Sequence, residues 1–282
     1  VKQKRSKIFP GLIRRLLKPL EKKRKYQHFW KRLHAISLSG MNIGKGENCS
    51  SSGEIYAIKF VASRLSSNQE IIIFDVGANI GQYTQELLTV FDMSKTKIFC
   101  FEPSPAAFRQ LAAGTRGAAN VFLFNIGLGE RDEKRMLYSD FKGSDLGSLY
   151  DLQTPFRPFE KRSAEPVEIK SLENFCRENH IRRIDFLKMD IEGHELKVLE
   201  NALNMIKSGN IKYIQFEFGP CSIDSRTYFR DYFFLLNKYY KIYRIVQDGI
   251  VPIDSYSHTD EVFLTTNYLA VPHDNEFSPG DV

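Results

Sequence analysis

The stretch Ile71-Ile-Ile-Phe-Asp75-Val-Gly77-Ala-Asn79-Ile-Gly81-Gln82 decides how this chain folds. Four apolar residues, three of them β-branched, run without a polar break, which is how a strand buried on both faces reads. Asp75 and two glycines four positions apart follow, and from Gln82 to Phe91 the apolar spacing becomes that of a helix. Strand, turn and helix in that order open a parallel sheet covered on two sides. Gly77 and Gly81 let the backbone bend sharply and approach a ligand closely, and Asn79 is the type that, after glycine, best accepts a left-handed conformation. The turn is not a dinucleotide fingerprint, because Gly-x-Gly-x-x-Gly would need glycine where Asn79 and Gln82 stand. No Gly-x-x-x-x-Gly-Lys-Ser/Thr phosphate loop occurs either.

Downstream, Lys97 to Phe101 reads as the next strand and ends at Glu102, 21 residues after Gly81. That is the interval for a carboxylate accepting both hydroxyls of a ribose. A glycine turn stripped of pyrophosphate features, with a ribose carboxylate, points to a nucleoside ligand lacking phosphates, and S-adenosylmethionine is the common cofactor of that kind. Helices are expected over Glu54 to Leu65, Pro105 to Ala113, Leu196 to Lys207 and residues 228–238, and buried strands over Val121 to Asn125, Ile184 to Met189 and Ile211 to Phe218. Tyr240 to Val246 and Val262 to Thr266 read as two more strands, antiparallel at an edge. Residues 131–165 fit no regular element; they are polar, laced with Tyr138, Phe141, Tyr150, Phe156 and Phe159, and are read as a substrate-side insertion. Those rings could stack on sugar faces or pack a hairpin.

With 42% hydrophobic and 26% charged residues in 282, the chain is globular rather than disordered. It has no apolar run of membrane-spanning length and no signal-peptide block, so a cytoplasmic protein is expected. Four scattered cysteines indicate neither a disulfide framework nor a zinc site. The charge is uneven. Residues 1–34 hold thirteen Lys or Arg against Glu21 alone, a net +12; of the chain's 40 bases and 34 acids, 27 and 33 remain beyond them, so the body carries about −6. Nucleic acid is therefore not an expected partner of the body. Phe9, Leu12, Ile13, Leu16, Leu17 and Leu20 form a helical stripe broken by Pro19, and Tyr26, Phe29, Trp30, Leu33 and Ile36 a second one ending at residues 37–40. A basic amphipathic arm can lie on an anionic membrane, at its inner face, or bind acidic polymer; against these stands the preferred reading that its apolar stripe packs on the body or on another subunit. The expected organisation is a helical extension over 1–50, the α/β domain over 51–272 and a tail over 273–282.

Phe74-Asp-Val-Gly-Ala-Asn-Ile-Gly-Gln82, Phe101-Glu-Pro-Ser-Pro105, Asn125-Ile-Gly-Leu-Gly129 and Ile184-Asp-Phe-Leu-Lys-Met-Asp-Ile-Glu-Gly-His-Glu195 resemble the successive motifs of the FkbM-type S-adenosylmethionine-dependent methyltransferases. The resemblance runs from about Gly53 to Gly219, and its last motif is the most specific. It implies a Rossmann-like class I methyltransferase sheet of seven strands, the final one antiparallel, and O-methylation, commonly of sugar hydroxyls in glycans or glycosylated natural products. By the same resemblance Asp75, Gly77 and Gly81 line the methionine end of the cofactor, Glu102 the ribose, and Asn125 with Ile126 the adenine. Asn79 and Asp190 complete the expected cofactor wall.

Ligands of parallel sheets bind beyond the carboxyl ends of the strands. The ends here are Asp75, Glu102, Asn125, Asp190 with Glu192, and Glu217. Methylating an alcohol requires alignment with the methyl carbon and removal of a proton. His194, Asp190 and Glu217 are the catalytic candidates: His194 as a base oriented by a carboxylate, or Asp190 and a neighbouring acid holding a divalent metal cation that acidifies the hydroxyl. The metal-free base is the reading taken. The expected acceptor is a carbohydrate of a polysaccharide or glycoconjugate precursor; methylation of a polyketide or other small natural product, or a non-catalytic cofactor-binding module docking on membrane or polyanion, are the alternatives.

Overall fold

The computed structural model describes residues 8–45, 49–65, 69–139, 147–151 and 163–275. The chain divides into two compact units, Val1–Ile43 and Gly44–Val282. In the first, α1 (Ile8–Leu17) and α2 (Gln27–Gly40) are joined by short turns, one of which holds Pro19. The Trp30 indole N–H donates to the Leu20 carbonyl at 3.1 Å and closes that connection. Among the described residues no helix is long and apolar enough to cross a membrane.

The second unit begins with α3 (Cys49–Ser52) and α4 (Glu54–Arg64), then β1 (Ile71–Val76), α5 (Gln82–Val90), β2 (Thr96–Phe101), α6 (Pro105–Gly114) and β3 (Val121–Phe124). Next come β4 (Gly127–Gly129), β5 (Glu133–Ser139), β6 (Gly147–Ser148), β7 (Ser163–Ser171), α7 (Leu172–Glu178), β8 (Ile184–Met189), α8 (Glu195–Asn201), α9 (Leu203–Lys207) and β9 (Ile211–Phe218). Helices α10 (Cys221–Ser225) and α11 (Phe229–Leu236) precede β10 (Tyr240–Val246), β11 (Gly249–Ile253) and β12 (Thr266–Pro272). The main sheet runs β11-β10-β12-β9-β8-β1-β2-β3. From β9 to β3 the pairs are parallel, with Ile71 opposite Thr96 and Ile73 opposite Phe186; β12 is antiparallel to both β9 and β10. This is the Rossmann-like class I methyltransferase sheet, with β11 added to it as an eighth, hairpin strand.

Alternation along buried strands builds two cores. Phe74, Leu187 and Phe216 face α7, α8 and α11 on one side, while Ile73, Phe186 and Tyr213 face α4 and α5 on the other. Chain order reverses between β1 and β8, the switch point at which parallel sheets open a crevice.

Four sequence expectations are corrected. The last strand is Thr266–Pro272 rather than Val262 to Thr266, because Glu261 to Leu264 is spent elsewhere: the Glu261 carboxylate accepts the Phe229 and Arg230 N–H groups that start α11, and Val262 and Leu264 make tight turns. It is also not an edge, since β12 is inserted between β9 and β10 and buries Leu269 and Ala270 completely. The described part of 131–165 is not irregular but supplies β5, β6 and the start of β7, which with β4 form a second sheet ordered β4-β7-β5-β6. Among the described residues its core is Leu137, Leu149, Val167 and Ile169, too few apolar residues to show as a pattern. Phe141, Phe156 and Phe159 lie outside the described residues. The helix expected from Leu196 to Lys207 is two, parted at Ala202.

Candidate active site

A cleft opens at the switch point. One wall is the turn after β1, with Gly77 and Asn79, and the end of β2, with Glu102 and Pro103; a second is the loop after β8, with Asp190, Ile191 and Glu192. The second sheet closes it with Gly127 and Leu128 of β4, Leu137 of β5, Gly147 and Leu149, and Ile169 of β7. Gly77 has φ +78°, and a Cβ there would collide with the Asp190 carbonyl, so glycine lets the two walls meet. Asn79 takes φ +50°, and its Oδ1 is buried with no hydrogen-bond partner among the described residues. Gly81, at φ +93°, starts α5 against Leu111, where a Cβ would come within 2.9 Å of a side-chain carbon.

Glu102 is buried yet committed on both oxygens, Oε2 accepting from Asn79 N at 2.8 Å and Oε1 from Ser104 N at 2.7 Å. Burial pushes its carboxyl up to about 7 against the pull of those two donors. Each oxygen keeps a lone pair for a further donor. Asn125 donates to the carbonyls of Glu102 and Pro103 at 2.8 and 3.1 Å, bracing this loop from behind, and Ile126 packs into the core.

Beneath the cleft lies a charge network the sequence reading did not single out. Lys188, next to last in strand β8, is 3% exposed; its ammonium is 3.4 Å from Asp75 Oδ1, 3.7 Å from Asp190 Oδ2 and 3.5 Å from the Gly77 carbonyl, and lies over the Tyr83 ring. Burial disfavours the charge, but Asp75, Asp190 and Glu54 outweigh it and hold the lysine above its ordinary value, so it is a cation. Asp75 is fully buried here, also accepting from Thr84 at 2.6 Å, and so lies below the cleft rather than in its wall. A second buried chain runs from Tyr83 to Gln215 to Glu54 to Ser52. The signal for Lys188 was in the sequence: a lysine among residues that otherwise read as a strand buried on both faces must be paired.

The loop after β8 is shaped from inside. Glu192 and Gly193 have positive φ, and the buried Glu195 carboxylate accepts from Ile191 N at 2.8 Å and Gly193 N at 3.1 Å. Burial raises that acid to about 7 despite these donors. The Cys221 thiol donates to Glu192 at 2.7 Å, and Ser148 of β6 donates to the Glu192 carbonyl at 2.9 Å. His194 stands behind the cleft, 1% exposed, with Nδ1 2.9 Å from the Tyr150 hydroxyl and Nε2 3.0 Å from Glu130 Oε2, a close approach in which no N–H is aimed at the oxygen. Burial, opposed by Glu130 and reinforced by Arg135 and Lys197, pulls it down to about 4, so it is neutral at neutral pH. Glu217, on the sheet face of Gln215, is pushed well above the carboxylate range by burial and then by Asp190, Glu192, Glu195 and Glu54.

Of the residues singled out in the sequence, the structure brings Gly77, Asn79, Glu102 and Asp190 together in the cleft wall. Asp75, Gly81, Asn125, Ile126, His194 and Glu217 are not among the residues that line it. Among the described residues no three His, Cys, Asp or Glu side chains converge as ligands for a metal.

Sheet order and cleft define a domain of the class I methyltransferase type. The chain belongs to the family described as the methyltransferase FkbM domain, whose family model matches residues 75–241. It is 23% identical over 155 residues to 2-O-methyltransferase NoeI of Sinorhizobium fredii, covering 51% of this chain and 63% of that one. It is 25% identical over 159 residues to hexuronic acid methyltransferase AglP of Haloferax volcanii, covering 54% and 59%. The chain thus spans about six tenths of the length of these relatives. The crystal structure of an FkbM methyltransferase from Methylobacillus flagellatus KT superposes with a TM-score of 0.43 at 16% identity, over 78% of this chain and 59% of that one.

Proposed function

We propose that this protein is an S-adenosylmethionine-dependent O-methyltransferase acting on a sugar hydroxyl. The observation that carries the reading is the cleft at the switch point, where a buried carboxylate on one wall faces an acid on the other across a turn with no side chain at Gly77. The residues fit the cofactor: Glu102 has acceptor capacity left for ribose hydroxyls, the buried Asn79 Oδ1 has no donor among the described residues, and Gly77 leaves room for close backbone approach. When bound, the cofactor supplies a methyl group made electrophilic by a sulfonium. The chain's part is to align an oxygen and take its proton. Asp190, steered by the Lys188 ammonium 3.7 Å away, accepts the hydrogen bond of the acceptor hydroxyl and then its proton.

The apolar wall of Leu137, Leu149 and Ile169 opposite Asp190 and Glu192 suits a pyranose, which offers a C–H face and hydroxyls at once. The relatives named for 2-O- and hexuronic acid methylation support a sugar. His194 acts as a positioning residue: with Tyr150 it pins the second sheet to the loop that carries Asp190. The test is S-adenosylhomocysteine production from purified protein, cofactor and a panel of neutral and acidic glycosides. Turnover above the acceptor-free rate supports the reading; tight cofactor binding with no turnover on any glycoside would point to a small natural-product acceptor or to a binding module.

A further inference from the structure

The basic arm supplies none of the residues named in the site above, and it combines two features that a polyanion-binding tail does not need together. Cations crowd it, with Arg14, Arg15, Lys18, Lys22, Lys23, Arg24, Lys25, Lys31 and Arg32 all exposed. Large apolar side chains stand in the open among them: Leu16 is 69% exposed at the end of α1, and Phe29 and Ile36, seven residues apart and so on one face of α2, are 40% and 67% exposed. Arg32 flanks that face, placed for its charge to reach past the apolar stem. The turn between the helices gathers Lys22 to Lys25 at one end of α2, and the Trp30 bond to Leu20 keeps the turn closed. Exposed apolar residues interleaved with cations, on helices too short to span a bilayer, match a surface that is apolar below and anionic above.

We infer that residues 8–40 are a docking element for an anionic lipid bilayer, with Leu16, Phe29 and Ile36 entering the interface and the cations on the headgroups. A polyanion in solution would use the cations alone. The inference does not depend on the reaction catalysed by the second unit, and it needs no knowledge of the acceptor.

The experiment is co-sedimentation of the full chain with vesicles of phosphatidylcholine alone and of phosphatidylcholine with about a third phosphatidylglycerol, at low and high salt. Binding is expected only with the anionic lipid and falls steeply as salt screens the charges. Each cation at such a surface strengthens binding by roughly fivefold, so replacing Lys22, Lys23, Arg24 and Lys25 by Gln lowers partitioning by on the order of a hundredfold or more. The deciding variant is Leu16→Ser with Ile36→Ser, both exposed enough to leave the helices intact. It should lose vesicle binding at least tenfold while binding dextran sulfate as before, with unchanged helicity by circular dichroism. Vesicle binding that survives the serine pair, or no binding to anionic vesicles at low salt, overturns the inference; the first result makes the arm a polyanion binder and the second makes it a packing element.

Discussion

The environment of His194 makes a measurable statement about stability against pH. In the folded chain the imidazole is held at about 4, against an ordinary value of 6.5 when exposed. Between those values the unfolded chain binds the proton that the folded chain refuses, so this residue's contribution is complete above about pH 6.5 and is lost as pH falls toward 4. Fully titrated, the gap is worth about 3.4 kcal/mol; at pH 5 it has removed about 2 kcal/mol relative to pH 7. Other buried acids act in the opposite sense: Glu102 and Glu195, both held near 7, favour the folded state as they take up protons. The wild-type curve alone is therefore a mixture, and the informative quantity is its difference from a His194→Gln variant, in which those acids cancel. Thermal unfolding at pH 7 and pH 5 should show that difference shrinking by about 2 kcal/mol, or about 4 to 8 °C for a domain of this size, in favour of the variant at the lower pH. Parallel curves for the two proteins would refute the buried, neutral histidine. The same variant separates position from chemistry: if His194 only pins the second sheet through Tyr150, turnover at saturating acceptor stays within about tenfold while acceptor KM rises, whereas loss of a general base costs on the order of a hundredfold or more in turnover itself.

How far the sequence could be read depended on which interactions leave a periodic trace. The parallel half of the sheet was legible from Ile71 to Phe218, because strands buried on both faces have to be continuous runs such as Ile71 to Phe74. The antiparallel end was not, since Glu261 to Leu264 is as apolar as a strand yet lies in turns beside α11, and only tertiary contacts distinguish them. The second sheet left almost no trace because, among the described residues, its core rests on four side chains. Within the site, the glycine turn, Glu102 and Asp190 were legible as chain ends of successive strands. His194 was only half legible: a histidine in a specific motif beside acids reads as a base, whereas which way a side chain at a helix start faces is set by tertiary contacts, and this one faces Tyr150 and Glu130. Lys188 shows the converse. Its role depends on Asp75, more than a hundred residues away, so a local pattern displays the oddity of the lysine but not its partner.

Three further outcomes follow from the cleft. Glu102→Ala should weaken S-adenosylhomocysteine by on the order of ten- to a hundredfold in titration calorimetry, since charge-assisted hydrogen bonds contribute about 1.5 to 3 kcal/mol; in the wild type, affinity should also fall as pH drops below about 7 and the carboxylate that accepts the hydroxyls is protonated. Asp190→Asn should cut turnover at least about a hundredfold with cofactor affinity unchanged, and activity should survive a chelator; activity abolished by chelator and restored by Mg or Mn would move the proton transfer to a metal. Lys188→Met is the most severe, and the reason is electrostatic rather than steric. Methionine fills much of the same space, but it strands the fully buried Asp75 with Thr84 as its remaining partner, and breaking one side of a buried pair costs about 3 to 5 kcal/mol. Adding Asp75→Asn should recover much of that loss, because neither partner then carries an uncompensated charge. The double variant should nonetheless stay impaired in turnover: the ammonium that steers Asp190 from under the Gly77 turn is still missing, so stability and catalysis part company. Equal recovery of both would mean that Lys188 serves the fold alone.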